Sequence, residues 1–185
     1  MEKHICPWYM GYFLASPLRR LAHKPENILG PYLKPGMKVL EVGPGMGFFS
    51  LPMARMVGEA GRIYCVDVQE KMIKSLNRRV DKASLNNRIK TRLCSESSLD
   101  VKDLADKIDF ALTFAVVHEV PDQKHLFEEL FASLKRGGKL LISEPTGHVT
   151  QKGFDETLEY AKSSGFKVIG FPVLKKSLSA VLVKE

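Results

Sequence analysis

A short apolar run, Lys38–Val42, breaks into Gly43-Pro44-Gly45-Met46-Gly47, and helical spacing begins at once with Phe48. Three glycines in five residues, at the junction of a strand and a helix, restrict the architectures open to this chain more than any other feature. Positions without side chains let the backbone turn sharply and let another group approach it within van der Waals distance. The helix that follows turns its unpaired N–H groups towards the same point. Such a junction belongs to folds in which strands and helices alternate and ligands sit beyond the carboxyl ends of the strands.

The rest of the centre keeps up the alternation. Phe48–Val57 has helical spacing, with Phe49, Met53, Met56 and Val57 on one face. Arg62–Val68 is rich in β-branched residues and leads to a helix with Met72, Ile73, Leu76, Val80 and Ala83 on one stripe. Ile89–Cys94 and the almost wholly apolar Ile108–Val117 are the third and fourth strands. Lys124–Leu134 is helical, and Arg136-Gly137-Gly138 is expected to end it before a fifth strand, Lys139–Ser143. A helix at Phe154–Ser164 stops at Gly165, and the strands Lys167–Phe171 and Leu178–Val183 follow as an antiparallel pair. The expectation is an α/β, doubly wound, mostly parallel sheet of seven strands. Loops after Val42, Asp67, Cys94 and Phe114 should meet in one cleft. Met1–Leu33 stands apart, with Trp8, Tyr9, Tyr12, Phe13 and Tyr32 broken by four prolines. The organisation expected is a single domain, with a helical cap over 1–33 and a core over 34–185.

Composition narrows the setting. At 185 residues and 44% hydrophobic, the chain can bury a core without staples. Three cysteines, Cys6, Cys65 and Cys94, make no disulfide framework and no zinc spacing, so a reducing cytoplasm is expected. His4, Cys6 and His23 match no closed metal pattern, and no metal is expected. The run Trp8–Ser16 is too short to span a bilayer and lacks the flanks of a signal peptide, so the chain is read as soluble and unprocessed. The net charge of +7 concentrates between Gln69 and Arg92, where eight Lys and Arg face two acids. Such a surface could attract nucleic acid, or it could be a solvated helix face. No RNA-binding signature or aromatic platform accompanies it.

The chemistry lies at the strand ends. Asp67 closes the second strand, 20 residues beyond Gly47, where a carboxylate can accept two hydrogen bonds from ribose hydroxyls. A helix-capping role for Asp67 is compatible with that. A nicotinamide fingerprint would need its third glycine at Phe48, and no G-K-[ST] follows for a nucleotide triphosphate loop.

Glu41-Val42-Gly43-Pro44-Gly45-Met46-Gly47, the strand ending at Asp67, Asp109-Phe110-Ala111-Leu112 and Leu134-Lys135-Arg136-Gly137-Gly138-Lys139-Leu140-Leu141-Ile142 stand in this order along the chain. Together they resemble class I S-adenosylmethionine-dependent methyltransferases over roughly Leu33–Pro145. His118-Glu119-Val120-Pro121 and the L-K-x-G-G segment resemble the small-molecule branch that methylates menaquinone precursors and arsenite. With few thiols, arsenic chemistry itself is disfavoured.

The resemblance implies S-adenosyl-L-methionine as cofactor and assigns it residues. Glu41, Gly43, Pro44, Gly45, Gly47 and Phe48 would surround the amino-acid moiety, with Glu41 near its ammonium. Asp67 would hold the ribose, and Val68 and Met72 would flank the adenine. The loop Cys94-Ser95-Glu96 would meet the exocyclic nitrogen, with Ser95 where relatives carry Asp. Phe114 and Ala115 would pass beneath the sulfonium. His118 is a candidate base for an acceptor that arrives protonated. Tyr9, Tyr12, His118 and His148 are candidates for the acceptor pocket, and the segment before Pro25 is expected to serve as a lid over it, to pack against the outside of the sheet or to form a dimer contact. The tetrad Thr113-Phe114-Ala115-Val116 lacks the Pro-Pro-aromatic pattern of enzymes that methylate base amino groups. A small-molecule acceptor is therefore expected.

Overall fold

The computed structural model describes residues 23–185. In chain order its elements are α1 (Pro25–Leu29), β1 (Lys38–Val42), α2 (Ser50–Met56), β2 (Arg62–Asp67), α3 (Glu70–Lys82), β3 (Ile89–Leu93), β4 (Ile108–Phe114), α4 (Gln123–Ser133), β5 (Leu134–Pro145), α5 (Gln151–Ser163), β6 (Phe166–Gly170) and β7 (Ser177–Lys184). The seven strands form one sheet in the order β3-β2-β1-β4-β5-β7-β6. β7 is antiparallel to both its neighbours, and the other adjacent pairs are parallel. This is the doubly wound sheet expected from the alternation.

Successive side chains of a strand point to opposite faces, and the central strands use both. Leu40, Ala111, Leu140 and Ile142 face a core closed by Phe127 and Leu130 of α4 and Phe154 and Leu158 of α5. Val39, Phe110, Leu112 and Leu141 face the other way, against Leu29, Met53 and Leu76 of α1, α2 and α3. Burial on both faces is why β4 carries so few polar residues. On α3, Met72, Ile73, Leu76 and Val80 are buried, while Lys71, Lys74, Arg78 and Lys82 are exposed.

Among the boundaries that differ from expectation, two have a clear physical cause. The glycine pair does not end α4. The helix stops at Ser133, and Leu134 is already extended, buried and paired with Ile108. Arg136-Gly137-Gly138 instead lies inside β5, where the pairing with β4 shifts register between Ile108 and Phe110. Gly137 supplies a φ of +79° for that irregularity. β4 ends at Phe114 rather than Val117, because Ala115 turns to φ +58° and leaves the strand path.

Four of the eight basic residues of this stretch bind groups within the molecule. Arg92 pairs with Asp103, Arg88 with Glu59 and Lys74 with Glu70. Arg79 is drawn inward to the Met46 carbonyl. Among the described residues no helix is long and apolar enough to cross a membrane.

Candidate active site

The strand order reverses between β1 and β4, and a cleft opens at the carboxyl ends of the strands there. The four loops after β1, β2, β3 and β4 all contribute to its wall.

The three glycines of the first loop have φ of +66°, +54° and +86°, but they serve different ends. A Cβ on Gly43 would come within 2.6 Å of Val116, and one on Gly47 within 2.5 Å of Leu76 and 2.7 Å of Leu51. Those two glycines are required by packing. A Cβ on Gly45 would meet nothing within 4 Å, and Gly45 lines the cleft. Its missing side chain therefore leaves room for a ligand. Gly45→Val is expected to abolish cofactor binding by filling that room, and to cost about 1–3 kcal/mol of stability through backbone strain. Calorimetry beside a urea melt checks both, and wild-type affinity in this variant would exclude Gly45 as a ligand contact.

Asp67 stands at the carboxyl end of β2 and is 8% exposed. Its Oδ1 accepts the Gln69 N–H at 2.9 Å, closing the turn into α3. Burial pushes its carboxyl up to about 6, and N–H donation from Gln69, Gly45 and Val68 opposes the rise. The Gly45 contact ties the glycine loop to the carboxylate. Asp67 caps no helix itself: the N-cap of α3 is Gln69, which makes no side-chain cap.

Glu41 lies one layer behind the loop, 3% exposed, accepting hydrogen bonds from the Ser50 hydroxyl at 2.5 Å and the Cys65 thiol at 3.5 Å. Burial and the nearby Glu41 charge hold the Cys65 thiol well above its ordinary range. Phe48 and Phe114 add an aromatic edge to the cleft, bridged by Phe49 at ring distances of 5.0 and 4.6 Å.

The loop leaving β4 is fixed by a residue that the sequence did not single out. Glu144, 1% exposed near the end of β5, accepts the N–H groups of Val116 at 3.1 Å and Val117 at 3.0 Å. Its other oxygen meets the His118 Nδ1 and lies 3.4 Å from the His118 N. This bond raises the His118 pKa, against desolvation, with the charge of Glu119 adding to the rise. With Nδ1–H given to Glu144, the neutral ring keeps Nε2 as its proton-accepting edge. Nε2 lies 3.9 Å from Glu119, which lines the cleft, and the His148 ring is 5.6 Å from the His118 ring.

Of the residues expected from the sequence, Gly43, Pro44, Gly45, Phe48, Asp67, Val68, Met72, Cys94, Ser95, Glu96, Phe114 and Ala115 meet on the cleft wall. Glu41 and Gly47 lie behind it. His118 sits beside the cleft at the foot of the β4 loop, with exposed His148 next to it. Tyr9, Tyr12, His4 and Cys6 fall outside the described residues. His23 Nε2 is within hydrogen-bond distance of the Lys175 carbonyl, at 2.9 Å.

Comparison with known proteins gives the family. A family described as "Methyltransferase domain" matches residues 33–173, and the chain belongs to it. It is 30% identical over 112 residues to an arsenite methyltransferase of Halobacterium salinarum, covering 60% of this chain and 28% of that protein. It is 26% identical over 136 residues to a demethylmenaquinone methyltransferase of Bacillus cereus, covering 74% and 56%. The chain thus spans between about a quarter and just over half of these curated relatives. A crystal structure of a SAM-dependent methyltransferase from Aquifex aeolicus superposes with a TM-score of 0.88 at 25% identity, over 98% of this chain and all of that one.

The family's cofactor is S-adenosylmethionine, and the cleft fits it. The Gly45 backbone is bare towards the cleft. Asp67 puts a buried carboxylate, an acceptor for hydroxyl groups, on the same cleft wall. Val68, 37% exposed, and Met72 give an apolar edge beside it.

Proposed function

We propose that the chain is a methyltransferase that passes the methyl group of S-adenosylmethionine to a small-molecule acceptor. The observation that carries this is the convergence of bare Gly45, buried Asp67 and the β4 exit loop on one cleft. Bound cofactor supplies a sulfonium-activated methyl group, so the protein's part is positioning and exclusion of water. Asp67 accepts the ribose hydroxyls, Val68 and Met72 flank the adenine, and the glycine loop receives the amino-acid end. Phe114 and Ala115 border the place of transfer. For an acceptor that arrives protonated, His118 is the base: Glu144 holds its ring so that Nε2 can take the proton.

The names of the arsenite and demethylmenaquinone relatives support a small acceptor. Nucleic acid is the weaker reading, since Arg79, Arg88, Arg92 and Lys74 already have intramolecular partners. A single domain, with residues 1–33 as its cap, and a cytoplasmic setting that leaves Cys65 and Cys94 as thiols, complete the proposal.

Methyl-labelled S-adenosylmethionine, incubated with the protein and a deproteinised, nucleic-acid-free cell extract, tests the acceptor class. Label in a low-molecular-weight product is the expected result. Label found only on added RNA or protein would overturn it.

A further inference from the structure

The loop that follows β3 forms the adenine end of the cleft; its Leu99 packs into the core, while Ser95, Glu96 and Ser97 stand exposed. Ser95 and Ser98 close it on itself: the Ser95 N–H donates to the Ser98 carbonyl at 3.2 Å, and the Ser98 N–H to the Ser95 hydroxyl at 3.1 Å. Such a small closed turn needs an external anchor to keep a defined height over a flat ligand. On the β3 side the anchor is a strand contact, Cys94 N–H to the Asp67 carbonyl at 3.0 Å. On the other side Leu99 is buried, and a side chain from a different element binds the turn itself.

Glu129 of α4 reaches this turn with both oxygens. One accepts the Ser98 hydroxyl at 2.8 Å and the other the Leu99 N–H at 2.8 Å. The side chain is 11% exposed, and His125 on the preceding turn of α4 stands 3.8 Å from it. Glu129, His125 and Ser95–Leu99 all line the cleft. An ionised carboxylate holding two donors of one turn is a stiff connection, because charge-assisted bonds are short and strong. It also brings negative potential to the end of the cleft where an exocyclic amino group would arrive.

We infer that Glu129 is the positioning residue of the adenine subsite: it holds the Ser95–Leu99 turn at the height that admits adenine and favours its 6-amino group. The inference rests on the cofactor reading above, and it adds a residue from α4, outside the four strand-end loops. The preference arises because a 6-amino group donates towards the carboxylate-held turn, whereas a 6-oxo group presents an acceptor to the same negative field.

The test is calorimetric binding of S-adenosylhomocysteine and of its 6-oxo analogue, S-inosylhomocysteine, to wild type, Glu129→Ala, Glu129→Gln and Ser98→Ala. Wild type should prefer the adenine form. Glu129→Ala should weaken it by about tenfold or more and level the preference between the two ligands. Glu129→Gln, which keeps the shape but loses the charge, should fall between, and Ser98→Ala should lose only a few-fold. Far-ultraviolet circular dichroism confirms which variants are folded, and Glu129→Gln decides the matter if Glu129→Ala is not. A purely structural role would lower thermal stability and weaken both ligands equally, leaving their ratio as in wild type. That outcome, or affinity within twofold of wild type in Glu129→Gln and Ser98→Ala, overturns the inference while leaving the cofactor reading intact. Failure of wild type to bind either ligand would defeat the cofactor reading, and this inference with it.

Discussion

Glu144→Ala should destabilise the protein by about 3–5 kcal/mol, the cost of removing one partner from a buried charged network. The carboxylate is 1% exposed and satisfies the N–H groups of Val116 and Val117 together with the His118 ring. Its loss would leave the buried Val117 N–H, and the part-buried donors of Val116 and His118, without this acceptor where the chain turns off β4 with Ala115 at φ +58°. Against a typical domain stability of about 5–15 kcal/mol, the loss is large enough to read directly in urea. Glu144→Gln should be milder, because its carbonyl can still accept from one side while its amide faces a second donor at His118. The pair also gives stability a pH dependence of definite sign. His118 has a raised pKa in the folded protein, so its contribution is fully present below the ordinary imidazole pKa and lost as pH rises through the folded value. Glu144→Gln should flatten that slope, and an unchanged slope would show that the pair is not coupled as described.

Asp67→Ala should weaken S-adenosylhomocysteine by roughly 10- to 150-fold, the equivalent of about 1.5–3 kcal/mol for charged hydrogen bonds. The same residue gives binding its pH dependence. Its carboxyl is raised to about 6 in the unliganded protein, and ribose hydroxyls donate best to the ionised form. Affinity should therefore be full above about pH 7 and fall as pH drops through 6. Stability of the unliganded protein moves the opposite way. The folded state binds the proton more tightly than the unfolded chain, so lowering pH from 6 towards 4 relieves the burial penalty at this site. Calorimetry across that range in wild type and Asp67→Ala separates the two. Affinity in wild type that does not change with pH, or equal affinity in both proteins, would exclude Asp67 as the ribose ligand.

The glycine loop and Asp67 were legible because their chemistry is local. A strand running into Gly43–Gly47 and a second strand ending in an acid place both groups at the same sheet edge once the strands are parallel. Glu144 was not legible, although it too is an acid near the carboxyl end of a strand. Its role depends on the β4–β5 register, which sets Phe114 opposite Ser143 and so brings Glu144 under the next turn. An acid directly after the buried run Leu140–Ser143 was the available signal. Glu129 was hidden in another way: on α4 it reads as one more charge on a solvated face, and only the loop folded over it gives it partners. The misplaced start of β5 has a related cause. A glycine pair after a helix signals a stop, but Leu134 is buried against the sheet, and packing ended the helix before the glycines could.

One titration tests the cofactor site most directly. Purified protein at near-neutral pH should bind S-adenosylmethionine and S-adenosylhomocysteine saturably, in the micromolar range, one molecule per chain, and Gly45→Val should abolish both. NAD should give no heat and should not compete. Absence of binding by S-adenosylmethionine, or its displacement by NAD, would contradict the assignment of this cleft.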